Sequence, residues 1–256
     1  MTSKRAYVTM ITSDSFVPGV ECMLFSLKET KTKVSVVLIV TRQVSKRNIE
    51  KLSEKADRVV VVDAIGNPHA EKSHVEGWVN SGYTKLQIWN LVDYDKVVYI
   101  DADTLVLQNV DELFERPTPA AAPDTFPPDK FNAGVMVIRP STDTFKDMMS
   151  KINVLGSYDT GDTGFLNEYF PKWFEMPAGH RLPFGYNALR TMHWLTAPRT
   201  KGYWNAVKPL KIIHYCSSPK PWDSEGTKKK GELELKWWSF FVRSQMGGGV
   251  DLLRGF

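Results

Sequence analysis

The 256-residue chain predicts an α/β fold with a mostly parallel central sheet flanked by helices. Three observations lead there. Short apolar runs rich in β-branched residues alternate with stretches of helical spacing, the pattern of strands buried on both faces and joined by right-handed crossovers. One of these runs, Val97 to Ile100, ends in Asp101-Ala102-Asp103. Two charges cannot stay buried unpaired, so they belong at the sheet's carboxyl edge, where open α/β sheets bind ligands. Hydrophobic residues make up 42% and charged residues 24%, which suits a globular chain with a sizeable core.

Taken in order, Ala6 to Ile11 reads as the first strand and runs into Thr12-Ser13-Asp14-Ser15. Val17 to Thr30 reads as a helix with Val20, Leu24 and Leu27 on one face. Val34 to Val40 (VSVVLIV) is a second strand, Ser45 an N-cap for a helix through Lys55, and Val59 to Val62 a third strand. Gly66 to Gly82 reads as irregular loop, and Thr84 to Leu91 as a helix feeding the Val97 strand. Asn109 to Phe114 predicts a short helix, Pro117 to Pro128 a proline-rich connection, and Phe131 to Ile138 a strand whose Gly134 permits close approach. Ser141 to Lys151 reads as a helix. Asp159-Thr-Gly-Asp-Thr-Gly reads as a loop entering another, and Leu210 to His214 as a late strand.

Several function classes lose support. The net charge of +4 is mild and the basic residues are scattered apart from Lys228 to Lys230, which reads as a solvated loop; no nucleic-acid partner is expected. Cys22 and Cys216 match no disulfide framework or zinc spacing, which suits a reducing compartment. No apolar h-region opens the chain and no stretch approaches the roughly 18 apolar residues of a membrane span, so the expectation is a cytoplasmic protein with no membrane contact. The P-loop, the dinucleotide-binding glycine fingerprint and the serine-hydrolase elbow are all missing.

The chemistry-bearing residues point elsewhere. Two hard carboxylate ligands suit a divalent cation, and the cation suits a diphosphate, although a bare D-x-D also occurs in surface loops. His214 ends its strand as the two acids end theirs; it fits a structural role as well as that of a third ligand for a borderline ion such as Mn²⁺. Phe16 follows the hydroxyl-rich turn and fits either the core or a stack on a nucleotide base. Asp159 and Asp162 precede a helix and read first as a cap.

In this order and spacing, Ala6-Tyr-Val-Thr, Tyr83-Thr-Lys-Leu, Tyr99-Ile-Asp-Ala-Asp, Phe131-Asn-Ala-Gly, Gly161-Asp-Thr-Gly, Leu182-Pro-Phe-Gly-Tyr-Asn and His214-Tyr-Cys-Ser-Ser-Pro-Lys-Pro-Trp resemble the glycogenin-like retaining glycosyltransferases of family 8, from about Arg5 to Trp222. The resemblance implies a GT-A fold in a single domain over 1–256, with a Rossmann-like nucleotide-binding half to about 110. An acceptor-binding half follows to about 222, then a helical tail over 223–256. It implies a UDP-sugar donor, a polyol or glycan acceptor, Mn²⁺ (with Mg²⁺ as the alternate ion) and a homodimer as the assembly known for such proteins. Carried over by position, Asp101, Asp103 and His214 are the metal ligands and Lys220 contacts the donor diphosphate. Thr9, Thr12, Ser13, Phe16, Lys85, Ala102, Asp124, Asn132 and Ala133 fall at donor-binding positions, and Asp162, Asp159 and Lys85 at the reacting end, with Asp162 the residue to expect if there is a nucleophile.

The chain departs from the pattern in places. The self-glucosylated tyrosine of glycogenins falls on Thr196, with Tyr203 the nearest tyrosine downstream. Ser217 replaces a glycine, and Thr163 a glutamine. The tail (Tyr186-Asn, Met192, Trp194, His214-Tyr-Cys, Lys236-Trp-Trp) is similar to galactinol synthases instead. The expected function is an Mn²⁺-dependent retaining hexosyltransferase using UDP-glucose or UDP-galactose. The competing readings are a self-glucosylating primer and a non-catalytic UDP-sugar-binding scaffold.

Overall fold

The computed structural model describes residues 3–68, 81–197, 202–223 and 231–246. Most of the expected loop over Gly66 to Gly82, all of Lys228 to Lys230 and the end of the tail lie outside these. Among the described residues no helix is long and apolar enough to cross a membrane.

The core is a six-stranded sheet in the order β3-β2-β1-β4-β7-β6. Its strands are β1 (Arg5–Ile11), β2 (Ser35–Thr41), β3 (Arg58–Val62), β4 (Lys96–Ile100), β6 (Ala120–Pro123) and β7 (Phe131–Ile138). The pairs β1–β2, β2–β3 and β1–β4 are parallel, as the strand–helix alternation predicts, whereas β7 runs antiparallel to both β4 and β6. Val97, Val98, Tyr99 and Ile100 are buried; covering a side chain of that size contributes about 1.5–3 kcal/mol. A second, three-stranded sheet joins β5 (Thr104–Val106), β9 (Ile212–His214) and β8 (Ala188–Leu189).

Helices α1 (Val17–Glu29) and α2 (Lys46–Ser53) follow β1 and β2. Ser45 stands at the N-cap of α2, but its side chain makes no capping hydrogen bond. Ser141 does cap α3 (Thr142–Lys151), accepting from Thr144 N at 3.2 Å. Helix α4 (Asp162–Tyr169) starts at the aspartate the sequence singles out, and α5 (Arg190–Thr196) and the short α6 (Tyr203–Ala206) precede β9. The tail supplies α7 (Glu232–Gln245), which buries Trp237 and packs against α1.

Two local expectations are corrected. Thr84–Asn90 is a 3-10 helix rather than a full α-helix; its tighter turn buries Leu86, Ile88 and Trp89 while sending Lys85 toward the sheet edge. The proline-rich connection contains strand β6, because Ala120 to Ala122 are small enough to pair at the sheet edge, where prolines are tolerated.

Candidate active site

Register brings the site together. β1 and β4 are parallel neighbours, so Thr12 and Ser13 after β1 share an edge with Asp101 after β4. β7 is antiparallel to β4, which puts its start, Asn132 to Gly134, beside that edge, and Asp101 N donates to Gly134 O at 2.8 Å. The Asp101-Ala102-Asp103 turn then crosses to the second sheet, where Thr104 pairs with His214. The result is a cavity of about 490 Å³ lined by Thr12, Ser13, Phe16, Lys85, Asp101, Ala102, Asp103, Asn132, Asp159, Asp162, His214 and Lys220.

At one end, single ligand atoms of Asp101, Asp103 and His214 all lie within 4.8 Å of one another. His214 Nε2 is 3.2 Å from Asp103 Oδ1 and 3.8 Å from Asp101 Oδ2. A chain of hydrogen bonds sets the ring's tautomer. Gly134 N–H can only donate, and it gives its proton to Asn132 Oδ1 at 2.9 Å. That oxygen also accepts from Asn187 Nδ2 at 2.9 Å, which turns Asn187 Oδ1 toward His214 Nδ1 at 2.8 Å. Nδ1 therefore carries a hydrogen, and Nε2, which faces the carboxylates, is the nitrogen left to bind an ion. A Cβ at Gly134 would run into the His214 ring, so this position admits only glycine without a shift. Two carboxylates and an imidazole nitrogen form a donor set that fits Mn²⁺, and Mg²⁺ less selectively.

Asp103 is shared. Its Oδ2 accepts from Lys220 Nζ at 2.6 Å, and Lys220 Nζ also reaches Tyr215 O at 2.9 Å. Burial alone would raise the Asp103 carboxyl, but the Lys220 ammonium and His214 overcome it and hold the group well below the usual carboxylate range. Asp101 accepts from Tyr99 Oη at 2.5 Å.

At the other end, Asp162 opens α4 and pairs with Lys85, whose Nζ also lies 3.2 Å from Asp101 Oδ1 and 3.3 Å from Ala133 O. Burial opposes the Lys85 charge, yet the carboxylates of Asp101 and Asp162 outweigh it and raise its pKa, so it stays an ammonium. Asp162 moves the other way from Asp103. Burial lifts its carboxyl above the ordinary value, Lys85 opposes this, and Asp101 adds to it. Asp159 Oδ1 accepts from Gly161 N at 2.9 Å and Gly164 N at 2.8 Å, which is the capping role, while the residue still lines the cavity. Thr160 between them sits at φ 57°, a left-handed conformation uncommon for a threonine.

The remaining predicted residues divide. Phe16 lines the cavity, meets Trp222 edge to face at 5.6 Å and lies 5.8 Å from Lys220 Nζ. Ala102 lines it through the D-x-D turn. Thr9, expected at the donor, is fully buried and is not among the residues lining the cavity. Ala133 is buried and contributes backbone: its N–H donates to Thr163 Oγ1 at 3.3 Å. Asp124 stands one residue back, accepting from Asn132 Nδ2 at 3.4 Å, with its carboxyl raised by burial. Sequence reasoning passed over Asn187 and Tyr99 as site residues. Both stand inside blocks that were visible, but nothing local says that one amide aims at His214 or that one hydroxyl leaves the core to meet Asp101.

Comparison with known proteins gives the family and the fold. The family model described as glycosyl transferase family 8 matches residues 7–226. Glycogenin-1 of Oryctolagus cuniculus is 34% identical over 270 residues, covering 98% of this chain and 78% of that protein. Glycogenin-1 of Caenorhabditis elegans is 35% identical over 235 residues, 91% of this chain and 54% of that protein. Inositol phosphorylceramide glucuronosyltransferase 1 of Arabidopsis thaliana is 35% identical over 240 residues, 87% and 43% respectively. The chain thus spans about half the length of several curated relatives it matches. Among solved structures, the galactosyltransferase LgtC superposes with a TM-score of 0.70 at 18% identity, covering 93% of this chain and 95% of that one. GlyE of Streptococcus pneumoniae gives 0.68 at 21%, covering 93% and 61%. At these identities the likeness shows the shared α/β fold, the GT-A arrangement.

Proposed function

This chain belongs to glycosyl transferase family 8, and we propose that it is a retaining hexosyltransferase that moves a sugar, glucose or galactose, from a UDP-sugar to a separate polyol or glycan acceptor. The observation that supports this reading is the arrangement of the cavity: Asp101, Asp103 and His214 at one end, Lys220 beside them, and Asp162 held by Lys85 at the other. Residues up to about 110 would supply the nucleotide side of the cradle and residues 111–222 the acceptor side, in a reducing compartment where Cys22 and Cys216 stay thiols.

Asp101, Asp103 and His214 would hold Mn²⁺, which when bound neutralises charge on the diphosphate. The chain's own groups do the rest. Lys220 places an ammonium where charge grows on the departing UDP oxygen, and a donor of that kind, fixed in a dry site, contributes about 3 kcal/mol to the transition state. Phe16 offers a ring for the uracil, with Thr12 and Ser13 as polar partners at its edge. Asp162 stands by the reacting sugar and stabilises positive charge developing at the anomeric carbon, as carboxylates do in glycosidases. Lys85 holds that carboxylate in place and ties it to Asp101.

The test is UDP release from UDP-glucose, UDP-galactose, UDP-glucuronate and UDP-N-acetylglucosamine, each with Mn²⁺, with Mg²⁺ and with EDTA. Release from one donor that EDTA abolishes is expected; no release from any of them, with acceptors supplied, overturns the reading. Self-glucosylation is the second reading, favoured by the identity to glycogenins. Intact mass after incubation with UDP-glucose would rise in hexose steps if it held.

A further inference from the structure

Beyond Tyr215 the chain leaves the second sheet and forms a short loop that carries Cys216 and Lys220 to the cavity. Among the described residues no strand pairs with this loop, whose ends are tied by Tyr215 N–H to Asp103 O and by Trp238 Nε1–H to Pro221 O, each at 2.9 Å. A side chain from α5 holds its middle. Arg190, 1% exposed, sends Nη2 to Ser217 O at 2.6 Å, Ser217 Oγ at 2.9 Å and Pro219 O at 2.9 Å. Its Nη1 donates to Glu234 Oε1 at 3.0 Å, in the first turn of α7. The guanidinium also lies over the Trp194 ring at 4.3 Å and the Tyr215 ring at 5.5 Å. Ser217, standing where the family pattern carries glycine, adds a side-chain acceptor to this grip.

The structure assigns Arg190, oriented by Glu234, as a positioning residue that holds the 215–220 loop against the cavity and so sets Lys220 at the donor diphosphate. The first half of this statement stands on geometry alone; the second rests on the proposed function. A guanidinium is suited to the task because its planar fork serves the loop through Nη2 and Glu234 through Nη1 at once, whereas the single ammonium of a lysine at 190 has no second nitrogen to span both. Lys220 needs the grip, since its Nζ meets both Asp103 and Tyr215 O at hydrogen-bond distance and a loop displaced by about 1 Å loses that alignment. It follows that the C-terminal helix is a working part of the donor site, although none of its residues lines the cavity.

Two cysteines make the test clean. Cys216 lies in the gripped loop, while Cys22 is fully buried in α1, its Sγ 3.7 Å from Trp237 O of α7. The full chain, wild type and with Arg190→Lys, Glu234→Gln or Ser217→Ala, is exposed to iodoacetamide and alkylation is followed at each cysteine by peptide mass. Arg190→Lys and Glu234→Gln should speed labelling of Cys216 about tenfold by favouring local opening, with Cys22 as protected as in the wild type and Ser217→Ala intermediate. In UDP-release kinetics the same variants should lower kcat about tenfold while KM for the donor changes less, because Lys220 acts on charge that grows in the transition state. An unchanged Cys216 rate overturns the grip. Cys216 and Cys22 rising together overturns it too, because the pair would then support the fold rather than the loop. An unchanged kcat with Cys216 labelling accelerated removes the link to the departing diphosphate. If the wild type releases no UDP from any donor, the proposed reaction fails, and the labelling still decides the grip by itself.

Discussion

Asp103 and Asp162 are both buried carboxylates in one cavity, each paired with a lysine, and their environments push them in opposite directions. Asp103 sits in a turn between two sheets, where Lys220 and His214 outweigh the cost of burial and favour its charge. Asp162 opens a helix, and Lys85, divided between it and Asp101, does not offset burial, so its charge is held under electrostatic strain. Ligating groups need a charge that is always present. A carboxylate whose charge is poorly compensated keeps more of its field for a developing cation. Under the proposed function, these opposite shifts would divide the labour between a ligating group and one that faces the reacting sugar.

The largest effect should come from Asp103. Asp103→Asn is expected to lower UDP release at least about a thousandfold and to cost about 3 kcal/mol at pH 7, since Lys220 and His214 lose their buried partner. Because its folded pKa is depressed, the stabilisation is present above the ordinary value of 3.8 and is lost as pH falls below it. Urea unfolding at pH 7 and pH 3 reads this directly, and a penalty equal at both would break the assignment.

Asp162→Asn should reduce turnover by about a hundredfold or more yet leave the fold as stable, or more stable by about 1 kcal/mol, at pH 7. The sign follows from its raised pKa: the contribution of the protonated form is fully present below 3.8 and is lost as pH rises through the higher folded value. If this variant were destabilised as much as Asp103→Asn, the contrast between the two ends would be gone.

Asn187→Leu removes the partner of His214 Nδ1 while leaving every candidate ligand in place. Mn²⁺ titration should show affinity weakened about 10- to 100-fold, and ¹⁵N spectra of the ring should lose the preference for a hydrogen on Nδ1 that is expected in the wild type. Unaltered affinity would mean that the relay from Gly134 does not set the ring. The smallest effect is expected at Thr196, whose Oγ1 bonds back to Met192 O within α5. Thr196→Ala should change donor turnover by less than about twofold, as exposed helix positions usually tolerate; a complete loss would give that segment an acceptor role.

The contrast between Asp103 and Asp162 also shows what was readable in advance. A strand that ends in two acids says that both emerge at a carboxyl edge, and the alternation of strands and helices says which edge. His214 at the end of a late strand was recognisable as a candidate in the same way. Nothing local shows that β7 turns antiparallel and lays Asn132 and Gly134 beside Asp101, or that Ala120 to Pro123 form a strand inside a proline-rich stretch. The Asn187–His214 bond spans 27 residues and the Lys220–Asp103 pair spans 117. Hydrogen bonds over such separations carry no periodicity to detect.

By itself the sequence determined the α/β class, where most of the buried strands lie along the chain, and Asp101, Asp103 and His214 as candidates at strand ends, because hydrophobic period and unpaired charge are local properties of the chain; Lys85, Lys220 and Asp162 were implied only by the family resemblance. The tertiary structure alone decided which nitrogen of His214 faces the carboxylates, which aspartate keeps its charge at ease, and that a buried arginine from α5 grips the loop of Lys220. Those outcomes depend on desolvation and on donor–acceptor direction, quantities that exist only after distant segments have packed together.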